Sequence, residues 1–429
     1  MTTQLRFVFN RNLRDYLELF RNYKNILLFG VLGAFFSGYG QTYLLSLFVP
    51  KFLDSFALTK TSFGAIYSGA TLFAAFVLFH FGKKIDHWSL RKFFVIVSVG
   101  LCIATIALGL ASNTYLFFVA IVLVRLFGQG LMSHASITSI SRFFNRNRGK
   151  ALGIAMLGFP LSEAILPISV ASLMMATDWR TTLIIMGVFV LVAVLPFGAW
   201  LVSDEKGIGQ GEALPETPNV SPIMVDLPNV MERSRADLLR DFRFYLLLPS
   251  LVAPPFLITG FFVYQVPLAE TKGWSLAWLA TSFVAYSITR ASASLFIGPL
   301  VDRFSAARLL PFSLVPLLLG IASLSIIEGR ALALVYLGLC GLSIGAGGNI
   351  KAAFLVEFCG VRHLGSIRSM MGTIAVVSTS VSPLLFGRIL DAGLGFSFLS
   401  VTSTIYIGIS ILLCWAICQS VIRESKQSF

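Results

Sequence analysis

Gly82-Lys83-Lys84-Ile85-Asp86, followed by Arg91 and Lys92, has a second copy 216 positions further on: Gly298-Pro299-Leu300-Val301-Asp302-Arg303, followed by Arg308. The same offset relates Gly149 to Gly365 and Pro167 to Pro383. It is close to half of the 429-residue length, so the chain reads as one half written twice. An internal duplication decides the architecture before any single helix is assigned. In an apolar chain it implies a transporter-like pair of related bundles.

The chain is that apolar. It is 56% hydrophobic and 12% charged, with a mean hydropathy of +0.83. Soluble domains carry about 25% charged residues. Here apolar runs of about 20 residues, the length that crosses a bilayer as a helix, take their place. Twelve runs are readable: 25–49, 62–82, 93–112, 115–141, 150–173, 181–202, 243–268, 277–298, 309–327, 331–354, 368–390 and 397–421. They must be helical, because a lone strand in lipid leaves its backbone groups unsatisfied. The expected fold is an all-α membrane protein of twelve transmembrane helices in two pseudo-symmetric six-helix bundles. The expected order is a cytoplasmic tail (1–24), a first bundle (25–202), a cytoplasmic linker (203–242), a second bundle (243–422) and a cytoplasmic tail (423–429). The linker is marked by Pro215, Pro218, Pro222 and Pro228. Its end, 229–243, sets Val230, Leu238, Leu239 and Phe242 among charges, either a helix lying on the membrane surface or a solvated connector.

A net charge of +13 raises the question of nucleic acid, and the placement of the charge excludes it. Most of the 33 Lys and Arg fall in alternate connections and the tails: Arg6 to Lys24, Lys83 to Lys92, Arg142 to Lys150, the linker, Arg303 with Arg308, Arg362 with Arg368, and the C-terminal tail. This is the positive-inside bias, and it puts both termini in the cytoplasm of a multi-pass inner-membrane protein. Four of the five Cys lie in apolar spans and read as small apolar residues, neither disulfide nor metal site. The first 24 residues lack the apolar core of a signal peptide. HExxH and Walker A motifs are absent, so no cofactor, metal, ATP-driven pumping or enzymatic activity is expected.

A Gly closing the second span lets backbones approach closely. An Asp four residues on, among basic side chains at the membrane surface, accepts hydrogen bonds from a helix N-terminus and a cation. Gly82, Asp86 and Arg91, with Gly298, Asp302 and Arg303, therefore read as a releasable latch, present twice. With both copies in view, the chain resembles the major facilitator superfamily, whose signature after the second helix is a Gly, an Asp four residues on, then basic residues. Val124-Arg125-Leu126-Phe127-Gly128-Gln129-Gly130 resembles the family's intramembrane Arg–Gly motif. Gly158-Phe159-Pro160 partly resembles the Gly-Pro motif of its antiporters, and Arg362 to Arg368 resembles the loop before the eleventh helix of bacterial members. The resemblance spans about residues 25–422. It implies two halves rocking about a central cavity, often driven by protons.

Charges inside spans are costly and default to function. Arg290, eight residues from Gly298, lies about 12 Å from that end of its helix, near mid-membrane. It reads as an anion contact or as half of an ion pair. Arg125 is also mid-membrane. Glu163 reads as a proton carrier or as a structural partner, with Arg125 the nearest candidate. His134 reads as a proton relay or a packing His. Lys351 reads as a snorkelling side chain. Gln41, Tyr39, Gln265 and Asn349 are candidates to line the cavity with Arg125 and Arg290.

The expected activity is secondary active transport by alternating access, proton-coupled, for a small organic anion such as a monocarboxylate. The expected partners are substrate, protons and the lipid bilayer, with the protein a monomer. The alternatives are a multidrug or siderophore exporter of the same fold and, from another class, a transporter-like sensor or a membrane-embedded enzyme. The offset itself points to the site: Arg290, Arg125, Glu163 and Lys351 fall on Ala74, Gly341, Thr379 and Ala135. The hinges repeat and the buried charges do not.

Overall fold

The computed structural model describes residues 16–144, 147–203 and 232–427; the side chains of Lys83, Asp86, Val421 and residues 423–427 fall outside what it describes. The expected N-terminal tail up to residue 15, most of the linker and the Asp86 end of the latch thus lie outside the described residues. Among the described residues every regular element is helical.

Eleven helices are long and apolar enough to span a membrane: α2 (Lys60–Phe81), α3 (Leu90–Leu110), α4 (Thr114–Phe143), α5 (Arg148–Ala176), α6 (Trp179–Leu201), α7 (Phe242–Val263), α8 (Leu276–Phe304), α9 (Ala306–Ile326), α10 (Ala331–Cys359), α11 (Leu364–Asp391) and α12 (Gly395–Ser420). The twelfth span is the first in the chain, and it is broken. Its opening helix α1 (Lys24–Phe36) gives way to a 3-10 turn at Ser37–Gly40, and short helical pieces continue to Ser55. Polar caps set the helix starts. Ser89 accepts from Lys92 N–H, Asn113 from Leu116 N–H, and Ser275 from Trp278 N–H. Asp178 accepts from Arg180 and Thr181 N–H, and its bond from the Thr181 hydroxyl helps hold its carboxyl below the usual range. The repeated prolines, Pro167 and Pro383, both sit inside helices, in α5 and α11, where each removes one backbone hydrogen bond.

The break in the first span has a cause in packing. Gln41 is extended (φ −80°, ψ 151°), so helical bonding stops there. A Cβ added at Gly40 would strike the backbone of α4 at Val124 O and Gln129 N, and one added at Gly128 would strike Gly40. Two backbones cross in contact, which only glycine allows. On the α4 side, residues Arg125–Met132 form a π-helical stretch at the same crossing.

Packing groups the chain into two compact units that do not follow the sequence halves. The first comprises the described residues within Met1–Gln41, Phe73–Ser162 and Leu173–Asn219. There the Ser136 hydroxyl donates to Gly30 O at 2.5 Å, and Gly158 lets α5 press on the backbone of α1 at Val31. The second comprises Thr42–Leu72, Glu163–Ser172 and the described part of Val220–Phe429. Its core at one end gathers Phe244, Leu251, Phe354, Phe358 and Ile367. The short helix Arg235–Arg240 inserts Leu238 into that core while Leu239 and Phe242 stay exposed, and Arg233 N–H beside it donates to Cys359 O at 3.0 Å. Beside it the Asp241 carboxyl feels burial pushing it up, but hydrogen bonds and charge from Arg243 and Arg233 hold it below its ordinary value.

Gly40→Ala is expected to lower the melting temperature of the purified protein by several degrees, since overpacking a backbone crossing costs about 1–3 kcal/mol. Gly149→Ala, whose new methyl meets nothing within 4 Å, is expected to leave it unchanged or raised. Equal melting temperatures for the two variants would count against the crossing as the cause of the break.

Candidate substrate and gating site

The second unit brings two of the charged candidates together. Helix α8 starts at the Ser275 cap and runs past Arg290. Gly341 and Gly345 of α10 let that helix lie against the α8 backbone at Tyr286 O and Arg290 O. So positioned, Arg290 Nη1 donates to Glu163 Oε1 of α5, forming an ion pair in which the Glu163 side chain is 6% exposed and that of Arg290 28%. Glu163 Oε2 is buried and has no hydrogen-bond partner among the described residues. The arginine side chain thus keeps an accessible portion while the carboxylate is walled in. The partner chosen by Glu163 is Arg290, not Arg125.

Around the pair, Tyr286 lies one turn before Arg290 on α8, and Tyr43 comes from the broken first span. Tyr43, Phe262, Phe283 and Tyr286 form a ring cluster with centroids 5.4–5.9 Å apart. Gln265, fully buried just past the end of α7, donates to Tyr43 O at 2.8 Å and to the Ser46 hydroxyl at 2.6 Å, and its Oε1 is left without a partner. An aromatic plug that includes Tyr286 of α8 therefore lies one turn from Arg290.

The other candidates are placed as follows. Arg125 is buried in the first unit and donates to Gly40 O at 3.2 Å, the carbonyl at the break that Gln41's extended conformation leaves. Tyr39 is buried against Phe36, ring centroids 5.6 Å apart, and Gln41 is half-buried. Asn349 is exposed on α10 and donates to Ser294 O at 2.9 Å, one turn from Arg290. Lys351 is half-buried on the same helix. His134 sits with its Nε2 3.2 Å from Gly82 O and its Nδ1 3.4 Å from Thr138, at the first copy of the repeat rather than near Glu163. Arg142 donates to Ile85 O at 2.7 Å, so α4 holds that loop from two points.

At the second copy the helix continues through Gly298 and Pro299 to Phe304, and Asp302 and Arg303 are exposed. The carboxylate that caps the neighbouring helix start is instead Glu357, which accepts from Ala306 N–H at 2.7 Å and Ala307 N–H at 2.9 Å. Tyr286, Ser46 and Glu357 were not singled out from sequence. The first two are a tyrosine and a serine in apolar runs that hold many, and only Glu357, a lone acid near a helix end, carried a readable signal.

The Major Facilitator Superfamily pattern matches residues 30–383. No curated protein sequence matches the chain. Among solved structures, a bacterial homologue of the human lysosomal transporter Spinster, inward-facing and unoccupied, has a TM-score of 0.68 at 14% identity, covering 94% of this chain and 98% of that one. The occupied inward-facing form of a bacterial Spinster homologue gives 0.66 at 13%, covering 96% and 98%. The nucleoside transporter NupG gives 0.65 at 14%, covering 92% and 98%. Matched over most of its length by that pattern, and sharing this fold, the chain belongs to the Major Facilitator Superfamily: it is a membrane transporter and not an enzyme.

Proposed function

We propose that this transporter is secondary active, works by alternating access, and moves a small organic anion such as a monocarboxylate together with protons. The observation that carries the reading is the ion pair of Arg290 with Glu163, half open on the arginine side and closed on the carboxylate side. A planar guanidinium with five donors is the side chain best suited to take a carboxylate in two parallel bonds. Glu163 is the resident occupant of that place. A substrate anion competes with it, and a proton on Glu163 removes the competitor. Proton and anion binding are then linked, each favouring the other by the same factor.

The remaining candidates find supporting parts. Arg125, bonded to a backbone carbonyl, holds the break in the first span. Gln265 steadies Tyr43 behind the site, and Asn349 lines the approach beside Ser294. His134 positions the Gly82 loop rather than carrying protons to Glu163. The two sequence halves, 25–202 and 243–422, act as the rocking bundles of a monomer. The distribution of Lys and Arg supports a cytoplasmic membrane location with both termini inside.

In proteoliposomes, Arg290→Ala is expected to abolish uptake of monocarboxylates, while Arg290→Lys retains a weak, low-affinity remnant. Uptake by the alanine variant at the parent rate would sink the anion assignment. Glu163→Gln is expected to lose accumulation driven by an inward proton gradient yet keep exchange of labelled for unlabelled substrate. Its substrate affinity should no longer fall as pH rises. Persistence of gradient-driven accumulation would remove Glu163 from the proton path.

The pair is also expected to be visible in stability. Breaking a buried ion pair by removing one partner costs about 3–5 kcal/mol, less where one group keeps water contact as Arg290 does. Glu163→Ala and Arg290→Ala should each lower the melting temperature, and the double variant should lose less than the two losses combined. Strict additivity would mean that the two side chains do not act on each other.

A further inference from the structure

A carboxylate that the transport reading does not use ties together two distant parts of the second unit. Asp391, at the last turn of α11, accepts from Thr61 N–H at 2.7 Å and from Lys60 N–H at 3.2 Å. Those are the first two residues of α2, whose opening N–H groups have no partner within their own helix. The Tyr264 hydroxyl, buried at the end of α7, lies 2.7 Å from Lys60 O and 2.8 Å from Pro383 O and donates between them. Two glycines close the contact. A Cβ at Gly64 would strike Pro383 O, and one at Gly387 would strike Lys60 O. Residues 60–64 come from the first sequence half; Tyr264, Pro383, Gly387 and Asp391 come from the second.

We propose that Asp391 is the latch of the gate at the Lys60 end of the transporter. While it caps α2, that end is shut over the aromatic plug and the Arg290 site, and it must release α2 for substrate to pass there. The proposal rests on the alternating-access reading and is independent of what is transported.

Three features suit a releasable closure. Asp391 is exposed, so its carboxylate exchanges protein partners for water without being stranded. A cavity of about 600 Å³ walled by Asp54, Lys60, Glu270, Leu390 and Gly393 lies beside it and supplies that water. The tight glycine contacts supply close packing without interlocked side chains, so separation needs no rotamer changes at Gly64 or Gly387. The closure also lies at the opposite helix ends from the repeated Gly–Asp motif: Asp391 grips the start of α2, and Gly82 follows its finish.

The gate is read by introducing Thr42→Cys, deeper on the first span, where Tyr67 donates to the Thr42 hydroxyl. All five native cysteines are buried and give a low background. Sealed vesicles of known orientation are treated with a membrane-impermeant maleimide and no substrate. Asp391→Ala is expected to raise labelling of residue 42 from the Lys60 side roughly tenfold, the size of shift that a lost helix cap carries. Asp391→Glu should restore most of the closure. Gly64→Ala, which wedges the same contact from the other strand of the closure, should raise labelling by an independent route. Parent-level labelling in Asp391→Ala and in Gly64→Ala would overturn the proposal. So would a rise confined to the Gly82 side, or a rise matched by loss of the folded melting transition. Loss of transport in Arg290→Ala with normal gate labelling would concern the substrate reading alone.

Discussion

A charged side chain in hydrocarbon needs a partner, and much of the second unit follows from meeting that need for Arg290. An arginine at the centre of a membrane helix costs about 2.5–3.5 kcal/mol on insertion scales. The cost is offset by the carboxylate on α5 that the guanidinium meets. Reaching α5 requires α8 to be held at a set depth, and Gly341 and Gly345 provide that by letting α10 lie on the α8 backbone. The pair therefore needs three helices in register. It also leaves one carboxylate oxygen without a donor among the described residues, the acceptor that a proton takes in the proposed cycle.

Close backbone approach is the second recurring device. Gly40 against α4, Gly158 against α1, Gly64 against α11 and Gly345 against α8 are all contacts where a methyl group would collide. In lipid there is little hydrophobic drive between helices, so small-residue contacts and interhelical hydrogen bonds carry the association. The hydroxyls of Ser136, Ser382 and Ser400 each donate across to a carbonyl of another helix at 2.5 Å, in keeping with that rule. The compact units cut through α2 and α5 and through the first span, so those segments are shared between packing environments.

The repeat at Gly82 and Gly298 and the apolar runs were enough to read twelve helices and two related halves, because span length and duplication are properties of sequence alone. The failure of the 216-residue offset at Arg290 and Glu163 also pointed to the two residues that meet. Their pairing was not legible: hydropathy reports depth in the membrane and says nothing about which way a side chain faces, so Arg125 was the partner expected for Glu163. The break at Ser37–Gly40 was hidden because Gly38 and Gly40 are common in spans, and what interrupts the helix is the α4 backbone pressing from outside. Glu357 took the role expected of Asp302 because helix α8 does not stop at its Gly–Pro but runs on to Phe304. Asp391 was not singled out, since a cap on a helix 330 residues away leaves no mark nearby.

The separation of Glu163 from Arg290 along the chain has a consequence for biogenesis. Helix α5 leaves the ribosome well before α8, so the acid enters the bilayer with no cation to meet it. Hydrocarbon favours the uncharged form of a lone carboxyl. Helix α8, with the lowest mean hydropathy of the eleven spans at 1.2, is the segment least able to stay in lipid by itself. Its arrival supplies the cation that stabilises the carboxylate, so the waiting acid gives its proton to water, and the carboxylate supplies the anchor that the arginine needs. Assembly of the two halves and charging of the site are then one event, so a nascent chain interrupted between α5 and α8 would hold an intact first bundle with a silent, neutral centre.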